Sequence, residues 1–111
     1  DLLVDAQNAE ARASLALYYL GLGQKEKALK EIGLANELAP ENVNVLFRSS
    51  LVYEQTAQRP SALRALRSAL NRGYSLAEVL HHPDLTELRQ DPGYLAFSKD
   101  FSASNSTNQT K

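Results

Sequence analysis

The stretch from Arg12 to Pro40 reads Arg12-x2-Leu15-Ala16-x2-Tyr19, then Ala28-x3-Ile32, then Pro40, and a similar spacing returns 34 residues later. Shifted by that period, Leu15 falls on Ser49, Ala16 on Ser50, Tyr19 on Tyr53, Ala28 on Ala62, Ile32 on Leu66 and Ala35 on Ala69. A period of 20 to 50 residues marks a stack of supersecondary units, each too small to bury its apolar face alone. Here the unit reads as a helical hairpin. Small residues at Ala16, Ala28, Ser50 and Ala62 let two helix backbones approach, and the tyrosines fill the space beside them.

Local signals set the boundaries. Asn8 predicts the cap of a helix over residues 9–22, with Gly21 and Gly23 at its end. A second helix over 24–38 would bury Ala28, Leu29, Ile32, Ala35 and Leu38 and turn Lys25, Lys27, Lys30 and Glu31 to water, until Pro40 stops it. Asn42 caps a third helix over 43–57, and the Gln58-Arg59-Pro60 turn opens a fourth over 61–72 that ends at Gly73. The repeats therefore span 9–42 and 43–74. Residues 1–8 align with 35–42 and read as the end of a preceding repeat.

After the second repeat the pattern changes. Ser75-x2-Glu78 is a capping box, and prolines at 83 and 92 divide the rest of the chain into short helical pieces. Residues 75–101 are expected to form a compact helical cap closed by Leu85, Leu88, Tyr94, Leu95, Phe97 and Phe101. The Ser/Ala/Asn/Thr/Gln composition of 102–111 predicts a disordered tail. Its Asn-x-Thr triplets at Asn105 and Asn108 match the glycosylation acceptor pattern, one that arises readily by chance in such a composition.

With 111 residues and 12.2 kDa, the chain has room for one domain or a short array. A net charge of −1 gives no global field toward nucleic acid or anionic lipid, so neither is expected as a partner. Locally the charge is uneven. Arg59, Arg64, Arg67 and Arg72 face no acid within 59–72, whereas Glu78, Asp84, Glu87, Asp91 and Asp100 outnumber Arg89 and Lys99 in the cap. Complementary packing of these neighbours, with arginine stems covering apolar surface, accounts for both segments. Cysteine is absent, which removes disulfides, thiolate metal sites and cysteine nucleophiles. No run of eighteen apolar residues exists, and Asp1-Leu2-Leu3-Val4-Asp5 lacks the basic head and apolar length of a signal peptide. A soluble, cytoplasmic setting is favoured. The missing initiator methionine suggests a chain cut from a longer protein or processed.

Candidate chemistry is sparse. His81, His82 and Asp84 hold the metal-binding residue types, but adjacent helical histidines point about 100 degrees apart and no third ligand stands at suitable spacing. A cap role for His82 before Pro83 explains them. Gly21-Leu22-Gly23 follows no strand and lacks the further glycine of a phosphate cradle, and Ser49 and Ser50 lack a nucleophile elbow. No catalytic residue, metal or cofactor is expected.

The repeat spacing resembles the tetratricopeptide signature, with Arg12 and Ser49 standing where Trp and Leu are usual. The cap sequence, Gly-Tyr-Ser-Leu followed by Pro-Asp-Leu-x2-Leu-Arg-x-Asp-Pro, is similar to the end of many bacterial arrays of this family, including those attached to kinases and transcription regulators. The resemblance implies an all-α fold of antiparallel helix-turn-helix repeats forming a short right-handed α-solenoid with a helical C-terminal cap. It also implies a concave groove lined by first helices, which here would present Glu10, Ala13, Leu17 and Leu20, then Asn44, Phe47, Leu51 and Glu54. Chaperone-binding members carry Lys and Asn where Ala13, Leu17 and Leu51 stand, so a carboxylate clamp is not expected. An apolar floor of Leu17, Leu20, Phe47 and Leu51 with a rim of Glu10, Asn44, Arg48 and Glu54 suits a helix or short peptide of a protein partner. Oligomerisation, or a regulatory appendage of a larger enzyme or transcription regulator, is the alternative.

Overall fold

The computed structural model describes the backbone of residues 2–109 and the side chains of 4–101. Helices α1 (Leu2–Gly21) and α2 (Lys25–Leu38) form the first hairpin, and α3 (Val43–Gln55) and α4 (Arg59–Asn71) the second. A short α5 (Leu76–His81), two single 3-10 turns at Pro83–Leu85 and Leu88–Gln90, and α6 (Pro92–Gln109) complete the chain. The fold is an all-α helical repeat, with no strand among the described residues.

Both hairpin turns are built alike, down to individual atoms. Gly23 at φ 77° and Ala57 at φ 62° lie 34 positions apart, and both adopt the left-handed conformation. The next residue in each case, Gln24 or Gln58, donates its backbone N–H to the carbonyl of Tyr19 or Tyr53 at 2.9 Å. The two tyrosines thus occupy equivalent places. The slim residues expected between helices, Ala16, Ala28, Ser50 and Ala62, are all fully buried.

Successive hairpins stack through first helices. Val45 and Val52 of α3 pack on Ala9, Ala13 and Ala16 of α1 and on Ala28, Ile32 and Ala35 of α2. Polar bonds fix the register: Asn36 Nδ2 donates to Ser49 Oγ at 2.9 Å, Asn42 Nδ2 to Glu10 at 2.9 Å, and Arg48 to the Glu10 carbonyl at 3.2 Å. A second core joins α3 and α4 to the cap through Phe47, Leu66, Val79, Leu85, Leu88, Tyr94 and Phe97. Gly93 seats α6 against α4, where any Cβ would stand 2.9 Å from the Leu63 side chain.

Two points differ from the sequence reading. Asn8 does not start a helix, because α1 runs from Leu2 through it to Gly21. Asn42 does cap α3, accepting from the Val45 N–H at 3.0 Å. The difference lies two residues earlier, where Pro40 ends α2 but the period-equivalent Ala6 continues α1. Leu95 is half exposed rather than part of the cap core. The segment 102–111, expected to be a disordered tail, lies beyond Phe101, the last residue whose side chain is described, and α6 is anchored by Tyr94 and Phe97.

Candidate functional site

The inner wall expected from the sequence is largely filled by the chain itself. Phe47 stacks on Tyr74 with ring centroids 4.1 Å apart and meets the edge of His82 at 5.6 Å. Leu51 is equally buried in the cap-facing core. These two residues, read as an open floor, are covered because α3 lies against the Pro83–Leu85 turn. Sequence periodicity could not show this, since the cap has no counterpart in the repeat. Ala13 is fully buried between hairpins, Leu17 touches both cores, and Leu20 is half-buried beside the first.

The predicted polar rim is also engaged. Glu10 and Arg48 form the clasp between hairpins. Glu54 takes two bonds from Arg59, at 2.6 and 2.7 Å, and Arg59 reaches on to Asp91 at 3.0 Å. These carboxylates, Glu54 foremost, raise the Arg59 pKa and keep the guanidinium charged. Asp91 is held below the usual carboxylate range, chiefly by the Gly93 N–H and then by Arg59. Of the predicted wall and rim only Asn44 is exposed.

The arginine run does pack on the cap in part. Arg59 pairs with Asp91, and Arg67 lies over the Phe97 ring at 5.9 Å, whereas Arg72 turns the other way to Glu41. The histidines have local roles. His82 Nδ1 accepts from the Asp84 N–H at 3.2 Å, and His81 Nδ1 lies 2.8 Å from the Ala77 carbonyl. Among the described residues no group of three or more His, Asp or Glu is placed to hold a metal ion, and no helix is long and apolar enough to cross a membrane. Ser49 and Ser50 donate to the carbonyls of Val45 and Phe47, so both hydroxyl protons are engaged by backbone.

Sequence reading missed the Tyr74–Phe47 stack, and it missed Arg89, which donates to the carbonyls of Val79 and His82 at 2.7 and 2.8 Å to tie off the end of α5. It also missed the outer face of the first hairpin. There Leu15, Tyr18, Leu22 and Leu38 are 38%, 62%, 54% and 39% exposed. Asn8, Ala11, Leu15 and Tyr18 on α1 and Leu22 just past its end follow one another at alternating spacings of three and four, and a cleft of about 500 Å³ opens among Asn8, Ala11, Arg12, Leu15, Glu31 and Leu38 of α2. Moved by 34 residues, Ala11, Leu15, Tyr18 and Leu22 become Val45, Ser49, Val52 and Thr56, of which Val45, Ser49 and Val52 seat the second hairpin on the first. The signal was therefore present in the period, at positions compared for kind but not for side.

The fold places the chain among all-α helical-repeat proteins. No protein-family description matches it, and neither a curated protein nor a solved structure does.

Proposed function

We propose that the chain is a non-enzymatic protein-interaction module of tetratricopeptide type, and that it makes contact through the outer face of its first hairpin. The observation that carries this reading is the line of Ala11, Leu15, Tyr18 and Leu22, exposed along α1 and its C-terminal turn yet largely buried at the equivalent positions along α3. A helix face that is an interface in one repeat and solvent-exposed in the next is a surface built for a helical neighbour. The concave wall offers less, because Phe47 and Leu51 are occupied by the cap.

Photo-crosslinking tests the reading. A photoreactive phenylalanine analogue at position 18 should give protein adducts in cells, and the same group at position 44 should give few. Adducts confined to position 44 would return recognition to the inner wall. A folded chain that forms none from either position would overturn the module.

A further inference from the structure

We propose that the cleft between α2 and α4 binds a phosphoryl group, carried by a small ester or a phosphorylated side chain, with Arg64, Ser61 and Tyr53 receiving its oxygens. The cleft holds about 260 Å³ and is walled by Asn36 of α2, Ser49 and Tyr53 of α3, and Ser61, Arg64 and Ser68 of α4. It is separate from the outer face of the first hairpin, and both hairpins supply its walls. Three observations carry the proposal. The first is charge. Arg12, Arg59 and Arg72 each meet a carboxylate, whereas among the described residues Arg64 bonds only to Ser61 Oγ, at 3.1 Å. No acid lines the cleft. A guanidinium without a counter-ion, beside a carboxylate-free cleft, presents a planar fork of donors to an oxyanion.

The second is the set of hydroxyls beside that cation. Ser61 accepts from Arg64 and keeps its own proton, and the Tyr53 hydroxyl makes no bond among the described residues. Tyr53 near the end of α3 and Ser61 at the start of α4 are brought together by the hairpin turn, where Gln58 donates its N–H to the Tyr53 carbonyl. Two hydroxyls and a guanidinium match the three terminal oxygens of a phosphate ester better than the two of a carboxylate. Seven residues along α4, about 10 Å from Ser61, the cleft changes character. Asn36 spends its amide hydrogens on the Ile32 carbonyl and Ser49 Oγ, which leaves its side-chain carbonyl as an acceptor beside the unbonded Ser68 hydroxyl. A phosphorylated residue spanning that length would set its phosphate at one end and a peptide amide at the other.

The third is recurrence. Thirty-four positions earlier, Tyr19, Lys27 and Lys30 stand where Tyr53, Ser61 and Arg64 do, and they line a cleft of about 210 Å³. Lys27 Nζ lies 5.6 Å from the centre of the Tyr19 ring, and Glu31, which shares that cleft, is bonded to Arg12. A tyrosine with a cation eleven positions later thus faces the same side of both hairpins.

NMR titration of the full chain at constant ionic strength tests the site. N-acetyl-O-phosphoserine amide should move the amide signals of Ser61, Arg64 and Ser68 to saturation with a Kd in the millimolar range. Arg64→Gln should weaken binding at least tenfold with signal dispersion unchanged, and Arg72→Gln, which removes a cation already paired with Glu41, should leave it as it was. Tighter binding of the amide than of inorganic phosphate assigns the group to a phosphorylated side chain, and equal binding assigns it to free phosphate or a small ester. Succinate binding as tightly as either phosphate probe would overturn the phosphoryl seat. So would equal losses from Arg64→Gln and Arg72→Gln, which would mark general surface charge, or the absence of any saturable shift at tens of millimolar.

Discussion

At the scale of single residues, the two left-handed turn positions make a natural experiment. Gly23 and Ala57 do the same work at the same place in successive hairpins, yet only glycine does so without a Cβ penalty. Ala57→Gly should therefore stabilise the chain by about 0.5–1 kcal/mol in urea melts, and Gly23→Ala should destabilise it similarly. Phe47 shows the opposite relation between pattern and place. Its class and spacing were legible in the sequence as an apolar position on a first helix, but its surroundings were not, because Tyr74 and His82 arrive from a segment outside the repeat. As a core residue rather than a binding residue it should lose about 3–5 kcal/mol on replacement by alanine, read as a fall in thermal midpoint. A change confined to ligand binding, with stability intact, would contradict its packing between those two rings.

At the scale of helices, most starts and stops were readable from short-range chemistry. Asn42, Ser75 and His82 each accept a backbone N–H at a helix or turn start, as their residue types and positions suggest. Asn8 resembles Asn42 in sequence and differs in consequence, since Ala6 supports a continuous α1 where Pro40 breaks the chain. Asn42→Ala should cost about 1–2 kcal/mol, because it removes the cap of α3 and the bond to Glu10 together. Asn8→Ala, at an exposed interior helical position, should leave stability unchanged or raise it by about half a kcal/mol in dilute melts. Less legible were the ties between elements distant in sequence. Arg89 could be seen as a cation in the cap, but only the folded path brings it to the carbonyls at the end of α5.

At the scale of the whole molecule, the chain is a slab of 43 × 33 × 19 Å, its thinnest dimension close to two helix diameters. Such a stack is held along its length by cross-ties such as Arg59, which joins Glu54 at the end of α3 to Asp91 at the entry to α6. The lowered pKa of Asp91 sets a sign for pH dependence. Folded Asp91 binds its proton less readily than unfolded Asp91, so its contribution is complete above the ordinary aspartate value near pH 4 and fades as the pH falls through the folded value. Urea melts of the natural chain and of Asp91→Asn should differ at pH 7 and converge towards pH 2. The closed cap also gives the molecule a polarity of growth. Extra copies of the 34-residue unit could be spliced in ahead of α1 and find a matching seat there, whereas a copy placed beyond α4 would have to dislodge the rings of Tyr74 and His82 from Phe47. Lengthening of the array by gene duplication is thus open at its leading edge and barred at its trailing one.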